Sequence, residues 1–383
     1  MSNNKKRKIN KIKNVDLTLQ YLIDVGENTI QASVNYDMDR LRNTLPALHK
    51  LNNIIGMSKA KDMVAKIVNL YTTGICDKNI DMMHTMIQGD SGTGKTMLAR
   101  ILGEIYWKLG VLDNKESDHN VENKEKDDDH DDTVHRQLRK KHKIEYQKQL
   151  DQYDYSDEFM VKDDLDDTEF DDTESVSSTK ETTYKFIEAS RTDCIDRYQG
   201  GTAAKTAALV KSALGGVLFI DEAYSLGNSG AEDTYNKECI DTLTSLMEKY
   251  KGKVVIILAG YKHSMEETLL RYNKGLSRRI TFNIIVDDYT PENLSSILKH
   301  MIINLDTGKT WQLMPSKKLI DDFFIKRYHD FPHFGGDVES FLFHIKINHS
   351  TRLLNSDASE KKKINMKDIE NGFKDYDRNR QKE

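Results

Sequence analysis

The segment GDSGTGKT, from Gly89 to Thr96, has residue types and a spacing that suit phosphate binding. It fits the pattern G-x-x-x-x-G-K-[ST], in which glycines let successive backbone N–H groups face phosphate oxygens at a helix N-terminus. Lys95 would neutralise the β- and γ-phosphates and Thr96 would ligate Mg²⁺, whereas the alternative interpretation is a plain glycine-rich turn. We expect a nucleotide to contact Gly89, Asp90, Ser91, Gly92, Thr93, Gly94, Lys95, Thr96 and Met97.

Two adjacent carboxylates end a second apolar run, GGVLFIDEAYSL. Its centre, residues 217–220, is the continuous apolar segment expected of a parallel strand that is buried on both faces. Because successive side chains of a strand point to opposite sides, Asp221 and Glu222 would have different roles. We expect Asp221 to orient the Mg²⁺ shell and Glu222 to activate the attacking water. Many strands end in an acid, so the pair indicates this chemistry only together with the phosphate loop.

Short apolar runs alternate with helical repeats around these two motifs. This alternation predicts an α/β fold with a doubly wound, five-stranded parallel sheet and a nucleotide at the C-terminal edge of its strands. The predicted strands are MMHTMI (82–87), YKFIEAS (184–190), VLFI (217–220), KVVIILAGY (253–261) and ITFNIIV (280–286). After Tyr289 four segments repeat with helical spacing and no strand is expected between them, which predicts a small helical domain.

Composition and charge limit the classes of function. The chain has 383 residues, 37% hydrophobic and 31% charged, and no apolar run long enough to cross a bilayer. Residues 1–16 are basic and polar, without an apolar stretch that could act as a signal peptide, and we expect a cytoplasmic protein without a membrane partner. Three widely spaced cysteines, Cys76, Cys194 and Cys239, lack a metal-ligand pattern and are expected to be reduced packing residues.

Two strongly charged stretches lie outside the predicted core. KKRKINKIK (5–13) is either a solvated tail, a nuclear import signal or a nucleic-acid arm, so the nucleus is an alternative location. Residues 113–183 are crowded with Asp, Glu, Lys and Ser, and we expect a largely disordered acidic insertion with one charged helix at 133–153. The insertion falls between the first helix and the second strand and is either a docking arm for a partner or a solvated loop.

At these motifs the chain resembles the AAA+ ATPases, and within them the group of red-type rubisco activase and stage V sporulation protein K. The most specific segments are IYWKLGVL, GGTAAKT, ALGGVLFIDEAYSL, VVIILAGY and NKGLSRRI. The resemblance implies strand order 5-1-4-3-2, a helical lid, and a homo-oligomeric ring, usually of six subunits, with ATP between neighbours. It divides the chain into an N-terminal helical region with the basic tail (1–50), a nucleotide-binding domain interrupted by the insertion (51–288) and the lid (289–383).

The same resemblance assigns further site residues. In NNIIGM, Ile55 and Gly56 would lie against the adenine base. Arg279, at the place of the arginine in the family's GLxSRF, would reach the γ-phosphate of the neighbouring subunit, although Arg278 precedes it where serine is usual. A cation beside a transferring phosphoryl group stabilises its developing charge, so hydrolysis would depend on assembly. The alternative is a pair of surface arginines in ordinary ion pairs.

Two positions depart from the wider family. Tyr261 ends the fourth strand where many members have a polar sensor, although tyrosine is typical of the rubisco-activase group. Glu339 occupies the place of a second sensor arginine, and a carboxylate cannot stabilise a γ-phosphate. The contact is therefore missing or is made by other residues.

The loop RYQGG (197–201) places one aromatic side chain beside two glycines. Thr202 is the expected N-cap of the following helix, with Gly215 and Gly216 as its stop. In related ring ATPases this connection faces the central channel and grips a substrate polypeptide, which assigns Tyr198, Gln199 and Gly200 to a pore loop. An amphipathic ring can press against almost any side chain, whereas packing of Tyr198 onto its own domain is the alternative.

Three functions remain open from the sequence. The first is a Mg²⁺-dependent ATPase ring that threads or remodels an unknown protein client. The second is a nucleic-acid motor or loader that uses the basic tail, and the third is a nucleotide-sensing scaffold whose hydrolysis is incidental.

Overall fold

A five-stranded parallel sheet forms the centre of the protein. The structure is a computed structural model that describes residues 16–32, 34–76, 81–112, 184–196, 198, 200–227, 234–271, 273–305, 311–354 and 356–380. The strands occur in the order β2-β3-β4-β1-β5, so the expected sheet and its strand order are confirmed. Their bounds are β1 (His84–Gln88), β2 (Phe186–Ala189), β3 (Val217–Ile220), β4 (Val255–Gly260) and β5 (Ile280–Ile285).

Helices cover both faces of this sheet, as its alternating side chains require. The helices are α1 (Leu19–Gly26), α2 (Met38–Asn53), α3 (Ser58–Thr72), α4 (Lys95–Lys108), α5 (Arg191–Cys194), α6 (Gly201–Ser212), α7 (Thr234–Lys249), α8 (Lys262–Ser264) and α9 (Lys274–Ser277). Val217 and Phe219 belong to the core that α1–α4 cover. Leu218 and Ile220 belong to a second core shared with α7. This two-sided burial explains why β3 is apolar at every position.

The C-terminal region is helical, as expected, with one addition. Its helices are α10 (Pro291–Ile303), α11 (Lys317–Arg327), α12 (Phe334–Leu353) and α13 (Met366–Arg380). Thr290 caps α10 by accepting from the N–H of Asn293, and Pro291 occupies the first turn, where no N–H partner is needed. Two strands that the sequence did not indicate, β6 (Gln312–Leu313) and β7 (Lys363–Ile364), form a short parallel pair. Two residues are too few to show a strand period, which is why pattern reading missed them.

Several expectations fall outside the described residues or concern single residue types. The basic tail, the acidic insertion and its proposed helix at 133–153 lie outside the described residues. None of the three cysteines, all within the described ranges, forms a disulfide, and Cys194 and Cys239 are buried. Among the helices in the described ranges, none combines the length and apolar character that a membrane span needs.

Candidate nucleotide site

The phosphate loop connects β1 to α4 at the C-terminal edge of the sheet. Gly92 and Gly94 both have positive φ, 71° and 87°, which residues with a Cβ rarely adopt. The N–H of Gly89 donates to the carbonyl of Gly260 at the end of β4, 3.2 Å away, and this contact fixes the start of the loop. The loop therefore leads directly into the N-terminus of a fourteen-residue helix, where anions are favoured.

Lys95 folds back over the loop that precedes it. Its Nζ donates to the carbonyl of Gly89 at 3.1 Å and to that of Asp90 at 2.8 Å, and it lies 5.3 Å from the centre of the Tyr261 ring. Burial lowers the pKa of Lys95, and the nearby carboxylates of Asp221, Asp90 and Glu222 oppose that shift. The ammonium group is thus held at the mouth of the loop by neutral oxygens and a ring face, partners that a phosphate can replace.

The two acids after β3 lie in a turn and not on the strand. The strand ends at Ile220, and Glu222 has a φ of 47°, a left-handed conformation that costs a non-glycine residue about 1–2 kcal/mol. The N–H of Glu222 donates to Asp221 Oδ1 at 2.9 Å, which stabilises this turn. The expectation that strand alternation separates the two acids is therefore wrong, because a turn and not the strand orients them.

Asp221 is the acid that contacts the phosphate loop. The hydroxyl of Thr96 donates to Asp221 Oδ2 at 3.4 Å, across 125 residues of sequence. Hydroxyl and carboxylate oxygens are ligands and ligand-orienting groups that Mg²⁺ prefers. No group of three or more His, Cys, Asp or Glu side chains suited to a metal occurs within the described ranges. The Thr96–Asp221 pair fits a Mg²⁺ ion whose other ligands would be phosphate oxygens and water.

Two tyrosines lie beside Glu222 at the C-terminal edge of the sheet. The rings of Tyr224 and Tyr261 are 5.6 Å apart, and burial together with the charge of Glu222 raises the pKa of Tyr224. Tyr261 follows β4, and in this position it faces both Lys95 and Tyr224. Tyr261, which stands where the wider family has a polar sensor, therefore lies next to a predicted site residue, Lys95.

Tyr289 joins the segment at Gly56 to the phosphate loop. Gly56 has a φ of 73°, and a Cβ there would lie 2.8 Å from the Tyr289 ring. The Tyr289 hydroxyl donates to the carbonyl of Thr93 at 3.2 Å. From the sequence, Tyr289 is predicted only as a domain boundary, and its one signal is its position just before the Thr-Pro start of α10.

Ile55 lines a cavity of about 370 Å³ between the α2–α3 connection and the C-terminal helices. Its lining combines apolar side chains with Ser295 and Ser296 from α10. Ser295 is only 3% exposed. The remaining lining residues are Lys299, His300, Ile303, Leu313, Pro315, Lys317 and Ile320. An apolar slot with hydroxyl groups suits a flat heterocycle such as adenine.

The start of α12 lies directly on the phosphate loop. The N–H of Gly335 donates to the carbonyl of Gly92 at 3.2 Å, and a Cβ on Gly92 would overlap the carbonyl oxygen of His333. Glu339, one turn further, is exposed. The contact between the C-terminal region and the loop is therefore made by backbone atoms, and sequence patterns carry no signal for it.

The two candidate arginines differ in their surroundings. Arg278 is exposed. Arg279 Nη1 donates to the carbonyl of Gly275 at 3.0 Å, and its Nε lies 3.4 Å from Glu248 Oε2. Arg279 thus belongs to a separate cleft from Lys95, lined also by Asp241, Thr244, Ser245, Lys249 and Asn273.

Tyr198 is 78% exposed, whereas Arg197 and Gln199 lie outside the described residues. Gly200, with a φ of 86°, is the N-cap of α6. The expectation that Thr202 caps this helix is wrong. Thr202 is buried, and its hydroxyl accepts from the N–H of Asp196, because the left-handed glycine already starts the helix.

Comparison with known proteins places these features in a wider context. A profile of the ATPase family associated with various cellular activities (AAA) matches residues 175–284. A CfxQ-like protein of Acanthamoeba polyphaga mimivirus is 31% identical over 369 residues, which cover 95% of this chain and 73% of that protein. Stage V sporulation protein K of Bacillus subtilis is 31% identical over 220 residues, 57% of this chain and 46% of that protein. The chloroplastic ribulose bisphosphate carboxylase/oxygenase activase of Cyanidioschyzon merolae is 24% identical over 355 residues, 91% of this chain and 94% of that protein.

Proposed function

The chain belongs to the AAA family of ATPases, in its CfxQ-like group, and on that premise we propose that it is a ring-forming motor that remodels a protein client through the loop at Tyr198. It is an ATPase of the class that acts on other proteins. The observation that supports the proposal most directly is the convergence of Lys95, Thr96 and Asp221 at one edge of the sheet. We assign nucleotide binding to residues 51–288 and the lid to residues 289–383.

Each group at this edge has a role in phosphoryl transfer. Lys95 exchanges its contacts with Gly89 and Asp90 for the β- and γ-phosphates, and the N–H groups of the loop bind their oxygens. Thr96 and Asp221 would hold Mg²⁺, which would neutralise phosphate charge. Glu222, exposed after its left-handed turn, takes a proton from the attacking water.

The adenine base occupies the cavity beside Ile55. Gly56 and Tyr289 form the passage from this cavity to the phosphate loop, since Tyr289 contacts both Gly56 and Thr93. The apolar lining residues exclude water from the base, and the Ser295 hydroxyl can form a hydrogen bond with a ring nitrogen. This arrangement supports ATP as the substrate.

Assembly into a ring, with six subunits as the expected number, completes the site. Within one chain Arg279 contacts Gly275 and Glu248 and not Lys95 or Asp221. We infer that it serves the nucleotide of the neighbouring subunit, where a cation lowers the barrier to hydrolysis. Hydrolysis would then require two adjacent copies of the chain.

Tyr198 is the residue that contacts the client. Its ring is exposed, although its backbone is held by the N–H contact to Asp196 at 3.1 Å and by the N–H of Gly201, which donates to its carbonyl. An exposed aromatic side chain grips polypeptide without selecting a sequence. Gly200, where an added Cβ would meet no described atom within 4 Å, leaves room for the loop to change position.

A trapping experiment tests this function. Glu222→Gln keeps the shape of the side chain but cannot accept a proton, so we expect ATP to remain bound in a stable ring with turnover lowered at least about a hundredfold. Tagged Glu222→Gln protein in a native extract should retain its client in ATP, and Lys95→Ala, which cannot bind the phosphates, should retain none.

The matched control is Glu370→Gln, which removes an exposed carboxylate on α13. It should hydrolyse ATP at the rate of the unchanged chain. Full turnover by purified Glu222→Gln protein would rule out the assignment of the catalytic base. If Glu222→Gln loses turnover as expected but retains no protein in ATP, the ATPase assignment would stand and client remodelling would be contradicted.

A further inference from the structure

Two polar contacts fasten the segment around α9 to one face of α7. Asp241 and Glu248 are seven residues apart on α7, which places them on the same face two turns from each other. Asn273 Nδ2 donates to Asp241 Oδ1 at 2.9 Å before α9 begins. Arg279 Nε lies 3.4 Å from Glu248 Oε2 just after α9 ends. The four-residue helix is therefore held at both of its ends.

Hydrogen bonds also hold the segment together internally. Asn273 Oδ1 accepts from the N–H of Gly275 at 2.7 Å and from that of Leu276 at 3.2 Å, so it caps α9. A Cβ on Gly275 would lie 2.8 Å from the same oxygen, which explains the glycine. The carbonyl of Gly275 in turn accepts from Arg279 Nη1. The position of Arg279 therefore depends on contacts that run back to α7.

These contacts orient Arg279 but leave some of its N–H donors without a hydrogen bond to a described residue. Within the described residues, only its Nη1 makes a hydrogen bond, and the buried Nε has an ion-pair neighbour without a hydrogen bond. The Arg279 side chain is 27% exposed and that of Glu248 is 55% exposed. Ion pairs this exposed contribute little to stability, so the Arg279–Glu248 pair does little to stabilise the fold. The guanidinium retains N–H donors for a group outside its own chain.

We propose that Glu248 is a positioning residue for Arg279 that fixes the direction in which the guanidinium meets the phosphate of a neighbouring copy. This inference rests on the proposed function, in which Arg279 acts on the nucleotide of the next subunit. With Glu248 in place, the arginine is ordered before the neighbour binds ATP. Without it, the side chain must be ordered during the reaction, which corresponds to a rate lower by about fivefold to tenfold.

The experiment uses rings of two differently tagged chains that are co-expressed and purified through both tags. One chain carries Lys95→Ala and supplies an intact Arg279 but no working site. The other carries Arg279→Ala and supplies a working site but no arginine. Hydrolysis in the mixed ring then comes from the sites that meet the arginine of the first chain. Glu248→Gln is introduced into one chain or the other, with Glu370→Gln as the matched control.

We expect Glu248→Gln to lower kcat of the mixed ring about fivefold when it is in the chain that supplies the arginine, with KM for ATP unchanged. In the chain that supplies the site, it should change neither constant. Equal effects from both chains, or none from either, would overturn the positioning role. An inactive mixed ring, or full activity of Arg279→Ala alone, would instead show that the proposed role of Arg279 is wrong, and the inference would fail with it.

Discussion

The N–H of Gly335 donates to the carbonyl of Gly92, so the first turn of α12 rests on the phosphate loop. The two residues are 243 positions apart, and the bond is between backbone atoms. It joins the C-terminal helical region to the part of the molecule that binds phosphate. A shift of the loop backbone would therefore move or strain the first turn of α12.

Gly92→Ala should weaken ATP binding by about tenfold or more, because its Cβ meets His333 and its positive φ disfavours alanine. The measurement is the dissociation constant of a fluorescent ATP analogue. Gly336→Ala is the matched control, since a Cβ at that position has no described atom within 4 Å. Equal affinities of the two variants would show that the contact between α12 and the loop does not matter for binding.

Asp221→Asn should raise the Mg²⁺ concentration needed for half-maximal hydrolysis by about tenfold to a hundredfold, because the amide no longer orients Thr96 as a ligand. The measurement is a Mg²⁺ titration at fixed ATP. Chelation by EDTA should abolish hydrolysis in the unchanged chain, and added Mg²⁺ should restore it. Hydrolysis that persists after chelation would contradict the metal assignment.

Arg279→Ala should lower kcat by about a thousandfold, the loss expected when a cation at the transferring phosphoryl group is removed. Arg278→Ala is the comparison, because Arg278 is exposed and should be nearly neutral. The measurement is steady-state hydrolysis at protein concentrations where the ring is assembled. If Arg278→Ala gave the larger loss, the two arginines would have to exchange roles.

Tyr198→Ala should leave basal hydrolysis unchanged and abolish remodelling of the client, since the ring is exposed and the described contacts of Tyr198 are to Asp196 and Gly201, not to the phosphate loop. Tyr198→Phe should retain most of the remodelling because the ring face is kept. The measurement compares ATPase rate with release or unfolding of the trapped client. Survival of both activities in Tyr198→Ala would mean that Tyr198 has no part in gripping.

His84 should make stability depend on pH below neutrality. Its Nδ1 accepts from the N–H of Ile256, and its Nε2 faces the carbonyl of Met247, so the buried ring is neutral. Burial lowers the pKa of His84 from 6.5 to about 4. The stabilisation is complete above pH 6.5 and is lost as the pH falls towards 4, by about 3 kcal/mol in total.

The measurement is urea unfolding between pH 7.5 and 5. His84→Asn keeps an acceptor for Ile256 but does not titrate, so its stability should fall less steeply over this range. Parallel slopes for His84→Asn and the unchanged chain would contradict a neutral, buried His84.

Local sequence patterns predicted the parts of the fold that depend on neighbouring residues. The phosphate loop, the buried run before Asp221 and the five strands follow from spacing and burial, and the strand order and family implied by the resemblance are confirmed. Contacts between distant segments were not predictable, because Tyr289 and Gly335 reach the loop through a hydroxyl and a backbone amide. The left-handed turn at Glu222 was missed because strand alternation cannot show where a strand ends.

The residues on either side of segment 113–183 lie next to α4. Leu112 is buried just before that segment, and Tyr184, just after it, packs its ring against Trp107 and donates its hydroxyl to the carbonyl of Arg100. The described contacts between α4 and the start of β2 are therefore made by residues outside 113–183. A change of length between Leu112 and Tyr184 would therefore leave in place the residues that make these contacts.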